Sequence, residues 1–298
     1  MIKKLVSFSW DDPPLEMEFR QGYFDLLREI GSSLEECLRF RQEVSLGEIS
    51  EDRTIISQTV SSAANSLYLK TQAIINVALN YKICLEQGLP LHPTVYFDVN
   101  LDRLNLTTYS ATEKEEAQNI FLKSISLARQ IYSLTPNSLI ELDAHITTLP
   151  TILLDFVYTH KKDKYTWNAS DPELIRALAE KIRNGEQVPK LVVGAAHGSI
   201  QPGIVLAELL DAELYFVRCS RFKRKDKVPI ISAQDESYLR GFAEKIVLVF
   251  DEDVARGETL RSLVERLRPH FRRTLSASVI KHYLAPFSPD FVGKENYD

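Results

Sequence analysis

Disulfide and zinc-cluster chemistry are the first things this sequence lacks the means for. Its three cysteines, Cys37, Cys84 and Cys219, lie far apart and form no Cys-x-x-Cys pair. Neither a disulfide framework nor a Cys-built metal site is suggested, and a reducing, cytoplasmic setting is the expectation. Long apolar runs are missing as well. No stretch approaches the roughly 18 consecutive apolar residues of a membrane helix, so no membrane partner is expected. The opening MIKKLVSFSWDDPP has too short an apolar core for a secretory signal. Six histidines are scattered without HExxH spacing, which argues against a His-built metal site. There is no internal repeat and no low-complexity tract. Nor is there an excess of positive charge. Lys and Arg number 36 against 41 Asp and Glu, a formal net charge of -5. The molecule as a whole is therefore no nucleic-acid magnet, and nucleic acid is not the favoured partner.

What is there is an ordinary globular composition, 44% hydrophobic and 26% charged over 298 residues, with length enough for two domains. Residues 1–160 read as a mainly helical domain. A broken helical pattern runs from about 15 to 44, with Ser33-Leu34-Glu35-Glu36 as a candidate capping box. A long periodic stretch, 54–86, predicts one helix that stops at Gly88 and Pro90. HPTVYFDVNLD (92–102) reads as irregular or a short strand. Ser110-Ala111-Thr112-Glu113 opens a further helix, stopped by Pro136, and residues 138–158 read as helical, broken at Pro150. The aromatic residues of this half sit at helical spacing, the mark of a core. No chemistry is legible in it. A protein partner or a second copy of the chain is what it would bind.

The polar stretch THKKDKYTWNASD (159–171) marks a change of pattern, and residues 161–298 read as a second domain. Ser170-Asp171-Pro172-Glu173 combines helix-start signals. Strands are predicted at 190–196, 213–220, 245–250 and 275–283, and helices at 174–182, 202–210 and 259–270. This alternation argues for an α/β fold on a parallel sheet. Ligands of such sheets bind beyond the carboxyl ends of the strands, where two short motifs fall.

The first motif is Val193-Gly194-Ala195-Ala196-His197-Gly198-Ser199, ahead of a helix. It is either a tight β–α turn or an anion cradle of backbone N–H groups. The second is KIVLVFDEDVARGETLRSLVERL, Lys245 to Leu267. Three consecutive carboxylates repel one another, so a metal ion, a polyhydroxyl sugar or a phosphate held by the next turn would offset the cost. Ala255-Arg256-Gly257-Glu258-Thr259 can cup a phosphate, with Asp251 and Glu252 placed to accept hydrogen bonds from sugar hydroxyls. The plain alternative is a solvated acidic loop with Thr259 as N-cap. A third feature, Arg218 to Lys227, is rich in basic residues. It suits a phosphate, a nucleic acid or merely water.

VFDEDVARGETL resembles the phosphoribosyl pyrophosphate (PRPP) motif of type I phosphoribosyltransferases. VVGAAHGSIQPGIVLAELL is similar to the pyrophosphate loop that precedes it in that family. The ending SASVIKHYLAPFSPDFVG is similar to the 6-oxopurine and xanthine-guanine members. The resemblance spans roughly 160–298. It implies a parallel-sheet phosphoribosyltransferase-like domain behind the helical one. It implies Asp251 and Glu252 as catalytic carboxylates, and Ala255, Arg256, Gly257, Glu258 and Thr259 around the PRPP 5′-phosphate. Ala196, His197, Gly198, Ser199, Arg221 and Lys223 would meet pyrophosphate, and Lys281, Phe291 and Tyr297 the base. Mg²⁺ would be held through PRPP, with Asp251 and Glu252 as candidate ligands. The implied activity is transfer of a phosphoribosyl group from Mg-PRPP to a nucleobase-like acceptor, a purine by preference. The other reading is a regulator or defence effector that senses or attacks nucleotides through this fold, with the helical half binding a partner. Arg256 and Glu258, in place of the family's neutral loop residues, favour that second reading.

Overall fold

The computed structural model describes residues 2–10, 13–14, 19–46, 57–91, 106–160, 164–185, 187–219 and 228–297. The chain divides into two compact units. One comprises Met1–Ser9 with Pro14–Lys161, and the other Trp10–Pro13 with Lys162–Asp298.

The first unit carries β1 (Phe19–Gly22), α1 (Tyr23–Ser45), α2 (Gln58–Lys70), α3 (Gln72–Glu86), α4 (Ala111–Ser133), α5 (Ser138–Thr148), α6 (Thr151–Leu154) and β2 (Val157–His160). Leu26, Leu27, Ile30, Leu34 and Cys37 form the buried stripe of α1, at the spacing one helix face requires. The capping box expected at Ser33 does not form. The backbone is helical straight through it, so its N–H groups are already bonded within the helix. The single helix expected over 54–86 is two helices that meet at Thr71, and Ser57 caps the first by accepting from Val60 N. Its residues 54–56 and the expected irregular stretch 92–102 lie outside the described residues. The box at Ser110 and Glu113 forms in full. α3 is buried from Gln72 to Leu85. Such burial admits Lys82 only with a counter-charge, and Glu86 supplies it at 2.8 Å. The helix expected to reach 158 ends earlier, and residues 157–160 instead pair antiparallel with β1.

The second unit carries α7 (Lys164–Asn168), α8 (Pro172–Arg183), β3 (Leu191–Ala196), α9 (Ile200–Leu210), β4 (Glu213–Arg218), α10 (Ala233–Arg240), β5 (Ile246–Val254), α11 (Glu258–Leu267), β6 (Arg273–His282) and β7 (Phe291–Asn296). The five strands are parallel, in the order β4-β3-β5-β6-β7. Both sheet faces are covered, which is why β3 and β4 are nearly continuous apolar runs rather than alternating ones. Gly203 of α9 lies against Phe216. On the opposite face, Tyr238 of α10 stacks on Tyr215 at 4.6 Å, and Glu236 pairs with Arg266 of α11 at 2.8 Å. Asp171, not Ser170, caps α8, accepting from Glu173 N at 2.9 Å. The Ser170 hydroxyl turns back to Thr166 O. Three elements of this unit go beyond the expected set: α7 lies in the stretch read as a polar boundary. α10 starts at a Ser232–Asp235 capping box, and β7 adds a fifth strand. Among the described residues no helix is long and apolar enough to cross a membrane.

Candidate active site

Everything that positions this site follows from where β5 stops. The strand does not end at Phe250, as its apolar run suggests, but continues through Asp251, Glu252 and Asp253 to Val254. Strand alternation would part neighbouring carboxylates, yet Asp251 and Glu252 stay close enough for their side chains to hydrogen-bond. Asp251 is buried. Its carboxyl is held well above the usual range, first by that burial, then by the charge and hydrogen bonding of Glu252, and by the charge of Asp253. Asp251 Oδ1 accepts from the Glu252 N–H at 3.2 Å. Asp253 goes elsewhere, pairing with His282 Nε2 at 3.0 Å. The Tyr165 ring meets that imidazole edge-on at 4.6 Å.

Glu252 crosses to the turn after β3. A Cβ placed on Gly198 would fall 1.6 Å from Glu252 Oε1, so only glycine leaves room for the carboxylate there. The two motifs, more than fifty residues apart in sequence, thus share one spot at the carboxyl ends of β3 and β5. Ala196 ends β3 and joins His197 through a cis peptide. Ser199 is buried, and its hydroxyl donates to Ala195 O. The Ser199 side chain is therefore spent on shaping the turn, and its carbonyl accepts from Gly203 N at 2.8 Å.

The second turn follows β5. Gly257 has φ +75°, a left-handed conformation that glycine adopts without strain. It caps α11 with no side-chain bond. The helix thus starts at Glu258, and Thr259 lies inside the first turn rather than at the cap. Ala255 and Arg256 are exposed. Phe287 lies on this turn. Its Cβ stands 2.4 Å from where a Gly257 Cβ would be, and its ring takes the Arg261 guanidinium at 5.5 Å. Nothing in the sequence around Phe287 announces that contact.

The remaining candidates separate. Lys281 lies at the carboxyl end of β6, beside Val254 in register. It is buried, with Nζ 3.4 Å from Glu295 Oε1. Tyr297 is exposed, its ring 5.0 Å from that of Tyr283 and its hydroxyl bonded to Glu295. Phe291 is not brought to this end. It opens β7 opposite Ala277, and its ring lies against Gly185. Arg221 and Lys223 lie outside the described residues. Glu295, the partner of Lys281, was hidden in the sequence because only the β6–β7 register brings the two together.

The carboxylates at the end of β5 are hard oxygen donors of the kind Mg²⁺ takes. Among the described residues no group of three or more His, Cys, Asp or Glu side chains converges on a metal position. An ion that keeps its waters and binds chiefly through a substrate's phosphates needs only one or two of them, so the donor set fits Mg²⁺.

No family model and no curated protein matches this chain. Among solved structures it is similar to a purine phosphoribosyltransferase from Pyrococcus horikoshii at 23% identity, over 43% of this chain and 83% of that one, TM-score 0.35. It is also similar to a hypothetical protein from Neisseria gonorrhoeae with bound ppGpp, at 22% identity over 42% and 79% of the two chains, TM-score 0.37. A third is the xanthine-guanine-hypoxanthine phosphoribosyltransferase of Helicobacter pylori, at 21% identity over 42% and 81%, TM-score 0.33.

Proposed function

We propose that the second unit transfers a phosphoribosyl group from Mg-PRPP to a nucleobase-like acceptor, a purine by preference, releasing pyrophosphate. The observation that carries this reading is the Glu252 carboxylate seated on Gly198. It joins an acidic pair suited to ribose hydroxyls to a turn suited to a diphosphate. The preference for a purine rests on the likeness of the ending to 6-oxopurine members.

In such a transfer the bond from C1 to the pyrophosphate oxygen breaks, a bond from C1 to the acceptor nitrogen forms, and that nitrogen's proton is released along with pyrophosphate. Positive charge grows on the sugar ring as the leaving group departs. Glu252 and Asp251 accept from the ribose hydroxyls and favour that charge. The backbone of the turn from Ala196 to Ser199 meets the departing phosphates. The first turn of α11, with Thr259, holds the 5′-phosphate by N–H groups and a hydroxyl. Lys281, at the end of β6, donates to the acceptor's exocyclic oxygen. Mg²⁺, when bound, offsets the charge of the pyrophosphate. The protein's part is positioning and electrostatics.

One observation favours a second reading, a PRPP-fold sensor or effector without turnover. Phe287 occupies the space over Gly257, beside the turn that would hold the 5′-phosphate. Calorimetric titration with PRPP and Mg²⁺, followed by a screen of free bases for pyrophosphate release, separates the readings. Saturable binding with turnover is the expected result. Binding without turnover on any base would support the sensor. No binding at millimolar PRPP would remove the transferase reading.

A further inference from the structure

Lys281 and Glu295 are direct partners in the register of β6 and β7, near the point where both strands end. This is the carboxyl end of the sheet, where ligands of parallel sheets bind. Lys281 is buried, and its Nζ donates to Glu295 Oε1 at 3.4 Å, longer than the roughly 2.7–2.9 Å of a tight charge-assisted bond. Glu295 is exposed, and its Oε2 accepts from the Tyr297 hydroxyl at 3.1 Å. An ammonium carries three donors, and a carboxylate about four acceptor positions. Each group therefore has capacity beyond these two contacts. The exposed rings of Tyr297 and Tyr283 lie 5.0 Å apart beside the pair. The Tyr283 N–H donates to Asn296 O at 2.7 Å, which ties the two strand ends together. Exposed rings next to a polar pair suit a planar heterocycle with a polar edge. The order of groups along that edge is set by the pair. Lys281 can only donate, so it meets a carbonyl oxygen. Ionised Glu295 can only accept, so it meets N–H groups and repels a second carbonyl.

We propose that Glu295 is a specificity-determining residue of the acceptor site, selecting a heterocycle that carries a carbonyl, a ring N–H and an amino group in a row, as guanine does. Lys281 donates to the carbonyl oxygen. Glu295 Oε1 accepts from the ring N–H, and Oε2 from the amino group. Hypoxanthine lacks the amino group and leaves one carboxylate oxygen unused. Xanthine turns a second carbonyl towards the carboxylate and is rejected. This selection rests on the transferase reading of the second unit, and narrows its acceptor from a purine to an aminated oxopurine.

The test is kcat/KM for guanine, hypoxanthine and xanthine, followed by pyrophosphate release from Mg-PRPP, in the full chain and in E295Q. The unaltered chain should favour guanine over hypoxanthine about tenfold or more, as for one charge-assisted hydrogen bond, with xanthine the poorest. A glutamine amide can donate to the second carbonyl of xanthine. E295Q should therefore narrow the guanine-to-xanthine ratio about tenfold or more. A merely structural role for Glu295 would lower all three rates alike and leave their ratios unchanged, and that result would overturn the proposal. So would a preference of the unaltered chain for hypoxanthine or xanthine. Turnover with none of the three would remove the transferase reading. Calorimetric affinities for guanosine and xanthosine 5′-monophosphate then decide on Glu295: a guanosine preference narrowed by E295Q supports its role, and equal or absent binding overturns it.

Discussion

At the scale of single residues, Gly198 and Asp251 show stability and function drawn apart. The Cβ of Gly198→Ala would overlap the far end of the Glu252 side chain, not backbone. A flexible carboxylate can swing away, so the fold should tolerate the change within about 1 kcal/mol, as most substitutions outside the core do. Mg-PRPP affinity or turnover should fall about tenfold or more, because the displaced carboxylate no longer meets the ribose. Unchanged kinetics in Gly198→Ala would place the chemistry elsewhere. Asp251 carries the opposite expectation for stability. Its folded-state pKa lies above its unfolded value. Between the two values the native state therefore binds more protons, and stability falls as pH rises through that window. Asp251→Asn removes the fall. That variant should be at least as stable as the original at neutral pH, and less so only in acid, while turnover is lost. Unfolding curves at pH 4 and pH 7 for both proteins check the sign. Thr259→Ala is the milder change. One charge-assisted hydrogen bond lost to the 5′-phosphate should weaken binding about tenfold, measured by the same calorimetry.

Secondary elements differ in how openly the sequence announces them. The α4 start was legible because Ser110 and Glu113 are a local signal, satisfied by the N–H groups next to them. Ser110→Ala should cost about 1 kcal/mol by chemical denaturation. The break at Thr71 was not legible, since the apolar spacing runs on through it and Thr71 itself keeps helical backbone angles. β2 was lost inside a helical reading because its four residues, 157–160, are too few to show a period of two. β5 was read short for a plainer reason: carboxylates are poor strand formers, yet pairing with β6 carries the strand on to Val254. The acidic pair and the glycine turns were visible as motifs, whereas Phe287 and Glu295 became visible only through register and packing. α5 holds a group that no motif marks. His145 is buried, and its imidazole is pushed down to about 4, by burial first and then by Lys123. The unfolded chain thus binds the proton more readily than the native one between about pH 6.5 and that value, and stability is lost as pH falls through this window. The loss is on the order of 3 kcal/mol. His145→Gln should flatten that acid slope, which urea unfolding from pH 7 to pH 4 would reveal. A slope of the same size in the variant would assign it to other groups.

Across the whole molecule, charge is the quantity that the site must overcome. The chain is net negative, and three carboxylates occupy the end of β5, where a polyanionic ligand is proposed to dock. With protein and ligand of the same sign, repulsion opposes the encounter, and only a cation of high charge density makes the two compatible. PRPP should therefore bind about tenfold more weakly, or worse, in EDTA than with millimolar Mg²⁺. Neutralising the pair with Asp251→Asn and Glu252→Gln should reverse the order between proteins. In EDTA the double variant should bind PRPP as well as or better than the original, because repulsion has been removed. With Mg²⁺ present it should bind less well, because the ribose contacts and any carboxylate bond to the ion have gone. A crossing of the two affinity series is difficult to obtain from a general loss of fold, which would weaken the variant under both conditions. Parallel weakening, with or without the ion, would mean that the carboxylates at the end of β5 serve the structure of the strand and not the ligand.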